Sequence, residues 1–138
     1  MKNANTLLRI SYWIGAVADA FFALALVYPK LWGRALGLAA FAPDLQHRLD
    51  MGVGASLMLS WTVLLLWADR KPMERKGVLL LTVVPALTGL FLAGIVAVIS
   101  GANSLRNMLL VFIMQTILSV LFVASYVNAR RSNSSALR

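Results

Sequence analysis

A single carboxylic acid inside an apolar stretch is the residue of this chain best suited to do chemistry. Asp19 lies near the middle of the run from Ile10 to Tyr28 and is the only formal charge within it. If the run crosses a bilayer, an ionised carboxylate at its centre costs about 2.5–3.5 kcal/mol on insertion scales. No Lys, Arg or His lies at a comparable depth in another apolar stretch. Asp19 is therefore protonated, or it faces a hydrated cavity, or it binds a cation.

Polar side chains near the centres of the other apolar stretches could join Asp19. Counted from the ends of the stretches, they lie within about one or two helical turns of the midplane. Gln115 and Ser119 are four positions apart and therefore share a helix face. Four residues form the predicted polar layer: Asp19, Ser60, Thr88 and Gln115. The full set of candidate ligand-binding or ion-binding residues is Asp19, Ser56, Ser60, Thr88, Gln115 and Ser119.

Two interpretations of this layer stay open on the sequence. In the structural one, a protonated Asp19 donates a hydrogen bond to Gln115 or to a backbone carbonyl, at about 0.6 kcal/mol per bond. In the functional one, the layer is a proton-linked or cation-linked site for a small substrate. The sequence has no nucleophile–base pair, no phosphate-binding glycine loop and no H-E-x-x-H motif, so it favours a non-enzymatic protein without settling the point. It predicts no cofactor and no metal site.

Four apolar stretches must hold these side chains in place. The chain has 138 residues, of which 60% are hydrophobic, and each stretch approaches the ~20 residues that cross a bilayer as a helix. We therefore predict a single all-α domain over residues 1–138, an integral membrane antiparallel four-helix bundle. Asp44 is predicted to cap the start of the second helix. The predicted helices cover 10–28, 47–68, 77–100 and 106–128, with a segment lying flat at the membrane interface over 30–42.

Basic residues report the orientation of the bundle. The net charge is +8, and nine of the 13 Lys and Arg residues lie in the N-terminal segment, the second loop and the C-terminal tail. The positive-inside rule places these regions in the cytoplasm, giving an N-in/C-in topology. The same distribution argues against nucleic-acid binding, which needs basic residues clustered with aromatics on one water-facing surface. In the second loop, four residues are candidates for contact with lipid or a partner: Arg70, Lys71, Arg75 and Lys76.

Several segments resemble a family of small bacterial four-helix membrane proteins whose function is uncharacterised. They are the run Arg9–Ala16 with Asp19 after it, the run Gly54–Met58, and the stretch from Trp67 through the Asp69–Arg75 turn to Thr82. At a greater distance the chain is similar to the DoxX-like group of four-helix membrane proteins. The resemblance implies a multi-pass protein of the bacterial inner (cytoplasmic) membrane. It carries no reaction or ligand that transfers to this chain.

These observations lead to one functional hypothesis and one alternative. The leading hypothesis is an inner-membrane protein that binds or translocates a small molecule or ion through the polar layer centred on Asp19. The alternative is a non-catalytic structural or accessory subunit of a membrane complex. Small residues recur every four positions on the first three helices, which favours close helix contacts in lipid. We therefore expect a homo-oligomer or a membrane-complex partner under either hypothesis.

Overall fold

The computed structural model describes residues 2–30, 33 and 43–136 of the chain. Within them lie four helices and no strand, so the predicted all-α fold is confirmed. Each helix is long and apolar enough to cross a membrane. The segment predicted to lie at the interface, 30–42, falls almost wholly outside the described residues. The helices are α1, Lys2–Val27; α2, Leu45–Asp69; α3, Gly77–Ile99; and α4, Leu105–Ala136.

Both terminal helices are longer than their apolar cores. Helix α1 begins at Lys2 rather than at residue 10, and α4 continues to Ala136 rather than ending at 128. The hydropathy pattern detects only the part of a helix that lipid covers, and a helix continues beyond it wherever one face still packs. Ala4 and Leu8 are buried and extend the packed face of α1 toward its start.

Asp44 caps α2, as the sequence predicts. Its Oδ1 accepts a hydrogen bond from the backbone N–H of His47 at 2.8 Å, and His47 Nδ1 lies 2.8 Å from the same oxygen. These bonds, with the backbone one the stronger cause, lower the pKa of Asp44 below its ordinary value. They stabilise the carboxylate form and satisfy an amide that the helix leaves unpaired.

A π-helical turn interrupts α3. It covers Thr82–Leu87 and contains Pro85, which has no N–H to donate and displaces the regular hydrogen-bond pattern. The Thr88 hydroxyl donates to the Val83 carbonyl at 2.9 Å, five positions back. Turns of this kind are frequent at functional sites, and Leu87 at the end of this one is buried.

Neighbouring helices run antiparallel. Asp69 at the end of α2 bonds Arg9 near the start of α1, and Ser11 Oγ on α1 lies 2.6 Å from Ser125 Oγ near the end of α4. Helix α1 packs on α2 and α4, and α4 also packs on α3, whereas α2 and α3 pack less closely. The order around the bundle is therefore α2, α1, α4, α3.

The two halves of the bundle differ in packing. We call residues 2–17, 61–86 and 119–136 the terminal half, because it contains the start of α1, the end of α4 and the turn between α2 and α3. Residues 18–27, 45–60 and 87–118 form the distal half. Among the described residues, the largest fully buried side chains all lie in the terminal half: Tyr12, Phe122, Leu8, Leu65, Leu79, Ser11 and Ser125. Outward faces expose side chains such as Val17, Val63 and Ile117, which suits contact with lipid.

Candidate functional site

A cavity of about 310 Å³ lies in the distal half and is lined by residues from all four helices. Asp19 and Gln115 are the only polar side chains among its lining residues. The rest of the wall is apolar and includes Met58, Leu90 and Met108. The volume is at the small end of the roughly 300–1,000 Å³ range of ligand pockets. An apolar wall with two convergent polar groups is the usual composition of a small-molecule site.

The two polar side chains each hold an unpartnered buried atom. Asp19 Oδ2 and Gln115 Oε1 are buried and have no hydrogen-bond partner within the described part of the chain. Gln115 is only 9% exposed. A buried acceptor left unpaired costs about 1–3 kcal/mol. Each of the two atoms is therefore open to a donor, and the interhelical bond of the structural interpretation stays a prediction.

Helix α1 places Asp19 at the floor of the cavity. Ser11 and Gly15 precede it at four-residue spacing and face inward, as the small-residue pattern predicts. A Cβ on Gly15 would lie 2.8 Å from Phe122 Cζ and 3.0 Å from Leu65 Cδ1. The turn of α1 before Asp19 thus packs against an aromatic ring and a leucine, and the central cavity begins at Ala18 and Asp19.

Gln115 lies between two cavities. Besides the central one, it lines a cavity of about 220 Å³ together with Thr88 and Ser119. The hydroxyls of these two residues bond their own helices: Thr88 to the Val83 carbonyl at 2.9 Å and Ser119 to the Gln115 carbonyl at 2.7 Å. They are neighbours of Gln115, but neither lines the cavity of Asp19.

Ser60 of the predicted layer and Ser56 of the wider candidate set do not line the central cavity. Both are exposed on α2, and Ser60 Oγ donates to the Ser56 carbonyl at 2.9 Å. Depth along a helix can be counted from sequence, but the direction around the axis cannot be assigned without the neighbouring helices. Met58 is the residue through which α2 lines the cavity. The layer reduces to Asp19 and Gln115, with Thr88 and Ser119 beside it.

Asp19 also borders a smaller cavity between α2 and α3. This space, about 230 Å³, is lined by Trp61 and Thr82 among others. Trp61 Nε1 donates to Thr82 Oγ1 at 3.0 Å, and Thr82 Oγ1 donates to the Val78 carbonyl at 2.9 Å. The sequence analysis missed this bridge. The signal was available, because an indole N–H in an apolar stretch needs an acceptor.

The four basic residues of the second loop have different surroundings. Lys71 pairs with Glu74 at 3.1 Å. The Arg75 guanidinium lies 3.4 Å from the centroid of the Trp67 ring and donates to the Trp67 carbonyl. Arg70 is exposed and Lys76 half-buried. Arg75 thus belongs to the packing of the turn, while Arg70 projects from it; their roles toward lipid or a partner stay predictions.

Asp69 joins α1 to α2 at the end of the terminal half. Its carboxylate accepts from Arg9 at 3.1 and 3.4 Å and from Trp13 Nε1 at 3.2 Å. The Tyr12 hydroxyl donates to the Arg75 carbonyl at 3.0 Å, which ties the second loop to the same end. Sequence reasoning assigned Arg9 to topology alone, since nothing local connects two residues 60 positions apart.

The fold and the cavity together define a multi-pass, all-α membrane protein with a polar pair inside its bundle. No family model, curated protein or solved structure matches the chain. The resemblance to DoxX-like proteins therefore stays a prediction. Within the described residues, no three His, Cys, Asp or Glu side chains are grouped so as to hold a metal ion.

Proposed function

We propose that this membrane protein binds a small molecule inside its bundle, with Asp19 as the polar centre of the site. One observation carries the proposal: the central cavity contains two buried acceptors, Asp19 Oδ2 and Gln115 Oε1, for which the described residues supply no donor. Proteins pair nearly all their buried polar atoms. A ligand with donor groups would satisfy both atoms and fill the apolar space around them.

The site favours access from the distal end. Lining residues extend from Asp19 to Leu26, Ala97 and Met108, which lie near the distal ends of their helices. In the opposite direction Phe122 and Leu65 close the bundle. With an N-in/C-in topology in a bacterial inner membrane, the cavity lies toward the outer leaflet. Translocation by this site would require the terminal half to open, so binding is the primary function and transport the further step.

Filling the cavity tests this function. The purified protein is placed in phosphatidylcholine nanodiscs and titrated with 1-aminoanthracene, a neutral probe that fluoresces in apolar surroundings. We expect a saturable component above the background of empty nanodiscs, because a protein site is finite and lipid partitioning is not. Ala97→Trp, or Ala93→Phe as a second variant, places a ring in the cavity and removes that component. Ser60→Ala is the control, since Ser60 lies outside the cavity.

Binding that persists unchanged in both cavity-filling variants overturns the proposal, as does the absence of any saturable component in the wild type. Each variant is first checked for cooperative thermal unfolding. Loss of binding then reports on the cavity rather than on the fold.

A second function is favoured by the outer face of α2. Gly52, Ser56 and Ser60 are exposed there at four-residue spacing, and small residues let another helix approach closely in lipid. This face suits a homo-oligomer or an accessory contact in a membrane complex. The chain has no cysteine, so Ser56→Cys can be oxidised in membranes to trap such a contact. Leu57→Cys, about 100° around the helix, is the control, and equal dimer yields from the two variants contradict this function.

A further inference from the structure

We infer that the molecule held in the central cavity is an amphipathic organic cation. Its ammonium group lies between Asp19 and Gln115, and its apolar body extends along α3 and α4 toward the distal end. The inference rests on the proposed function and names the chemical class of the ligand. It follows from the kind of atoms left unpartnered, the absence of a countercharge and the composition of the wall.

Both unpartnered atoms in the cavity are acceptors. Asp19 Oδ2 and Gln115 Oε1 can each receive a hydrogen bond and neither has a donor among the described residues. One group that donates at least twice, as an ammonium does, would satisfy both atoms at once. Hydrogen bonds between ionised partners are roughly twice as strong as those between neutral ones, which favours a charged donor beside a carboxylate.

The described part of the chain supplies no positive charge at Asp19. Arg9 pairs with Asp69 and Lys71 with Glu74, both near helix ends, and Asp19 Oδ2 has no partner. An ionised carboxylate in apolar surroundings is costly unless a cation neutralises it. A cationic ligand supplies the neutralisation that these basic residues do not, so the ligand and the acid stabilise one another.

An inorganic cation fits the cavity poorly. Calcium and magnesium take six or more oxygen ligands, whereas the cavity offers two unpartnered side-chain oxygens. The remaining wall, with Val111 and Leu118 beside Gln115, adds no side-chain oxygen ligand for such an ion. An ammonium needs fewer acceptors, and the carbon skeleton attached to it gains from the same apolar wall that a metal ion would not use.

The cavity also sets the size and shape of the ligand body. A volume of about 310 Å³ suits one ring with a short chain rather than a lipid. Three methionines line the space, Met58, Met108 and Met114, and their flexible thioethers adapt to different apolar shapes. The wall therefore accepts apolar bodies of different shapes, while Asp19 and Gln115 select the polar head group of the ligand.

Two probes that differ only in their heads test the inference. The wild type in phosphatidylcholine nanodiscs is loaded with 1-aminoanthracene, which is then displaced by 4-phenylbutylamine or by 4-phenyl-1-butanol. We expect the amine to bind at least tenfold more tightly than the alcohol. Asp19→Asn keeps the shape and removes the charge, so the two probes should become equal within about threefold. Asp19→Glu, which retains the charge, should keep the preference for the amine.

Matched variants separate the head contacts from general effects. Gln115→Leu should weaken amine binding several-fold, because it removes one acceptor, and should leave alcohol binding nearly unchanged. Ser60→Ala should match the wild type for both probes. Comparing variants within one lipid background removes the contribution of probe partitioning, which is the same for each of them.

The outcomes distinguish this inference from the function on which it rests. If the wild type binds both probes equally while Ala97→Trp still abolishes 1-aminoanthracene binding, the cation inference is overturned and the cavity remains a binding site. If no saturable binding of 1-aminoanthracene occurs, the proposed function itself fails. A preference for the amine that survives in Asp19→Asn overturns the assignment of the ammonium to Asp19.

Discussion

The terminal and distal halves of this bundle are built from the same apolar residue types but pack in opposite ways. In the terminal half, Tyr12, Leu65 and Phe122 are 0–1% exposed, and the Ser11–Ser125 and Arg9–Asp69 bonds join helices. The distal half encloses a cavity of about 310 Å³ with two unpartnered acceptors. In lipid the hydrophobic effect between helices is weak, so close packing and hydrogen bonds must hold a bundle together. The terminal half therefore supplies stability, and the distal half is free to hold a ligand.

Paired leucine truncations should show the largest difference between the halves. Leu65 is 0% exposed in the terminal half, whereas Leu90 is 42% exposed and lines the cavity. Leu65→Ala should lower the free energy of unfolding by about 2–3 kcal/mol, the lower part of the range for buried leucines, because lipid also solvates the freed side chain. Leu90→Ala should cost less than about 1 kcal/mol, since it enlarges an existing space. Reversible unfolding in mixed micelles measures both, and equal losses would contradict the division into halves.

Adding one methyl group sharpens the comparison. A Cβ on Gly15 would lie 2.8 Å from Phe122 Cζ, and a Cβ on Gly94 would lie 2.6 Å from Phe112 Cε1. Phe122 is 1% exposed and has no room to yield, so Gly15→Ala should cost about 1–3 kcal/mol. The Phe112 ring is tilted against Phe91 with centroids 4.9 Å apart and is only half-buried, so it has more room to move aside and Gly94→Ala should cost less. Melting temperatures of the two variants show which one loses more stability, and a greater loss for Gly94→Ala would contradict the prediction.

The Asp69 cluster should contribute a smaller amount. Arg9 has a side chain 57% exposed, although that of Asp69 is only 11% exposed, and ion pairs open to solvent are worth about 1 kcal/mol or less. A double-mutant cycle of Arg9→Ala and Asp69→Asn should give a coupling of this size that decreases from low to high salt. A coupling near zero, with Asp69→Asn alone still destabilising, would show that the Asp69 contact to Trp13, rather than the ion pair, joins the helices.

The smallest effect is expected at the start of α2, where Asp44 caps the helix. Its pKa is lowered by hydrogen bonds from His47, so the cap is complete above the unfolded-state value of about 3.9 and is lost as the pH falls through the lower folded-state value. The chemical shift of the His47 amide should therefore change with pH, with a midpoint below the ordinary Asp pKa of about 3.9. Asp44→Ala should abolish that titration, and a midpoint above the ordinary value would contradict the cap.

Sequence reasoning reached the parts of this molecule that depend on composition along the chain. The four apolar stretches correspond to the four helices, and Asp44 is the predicted cap. Hydropathy and capping are local properties, so a single sequence carries them. That Gln115 shares a cavity with Asp19 also follows the expected depth of the two residues.

The parts that depend on neighbours could not be obtained in this way. Ser60 lies on the exposed face of α2, away from the central cavity, because packing against α1 sets the rotation of the helix. The Arg9–Asp69 contact joins residues that only the antiparallel arrangement brings together. Pro85 removes one backbone donor from α3, but the π-helical turn over Thr82–Leu87 depends on how the surrounding hydrogen bonds rearrange.

The central claim is that the two unpartnered acceptors belong to a ligand rather than to each other. Its most direct test is a pair of high-resolution structures in lipid nanodiscs, with and without 4-phenylbutylamine. The account predicts difference density whose nitrogen lies within hydrogen-bond distance of Asp19 Oδ2 and Gln115 Oε1, with the ring toward Met108. Two results would contradict it. In one, the cavity is closed and Asp19 bonds Gln115; in the other, an arginine from a helix end is bound to Asp19 in both structures.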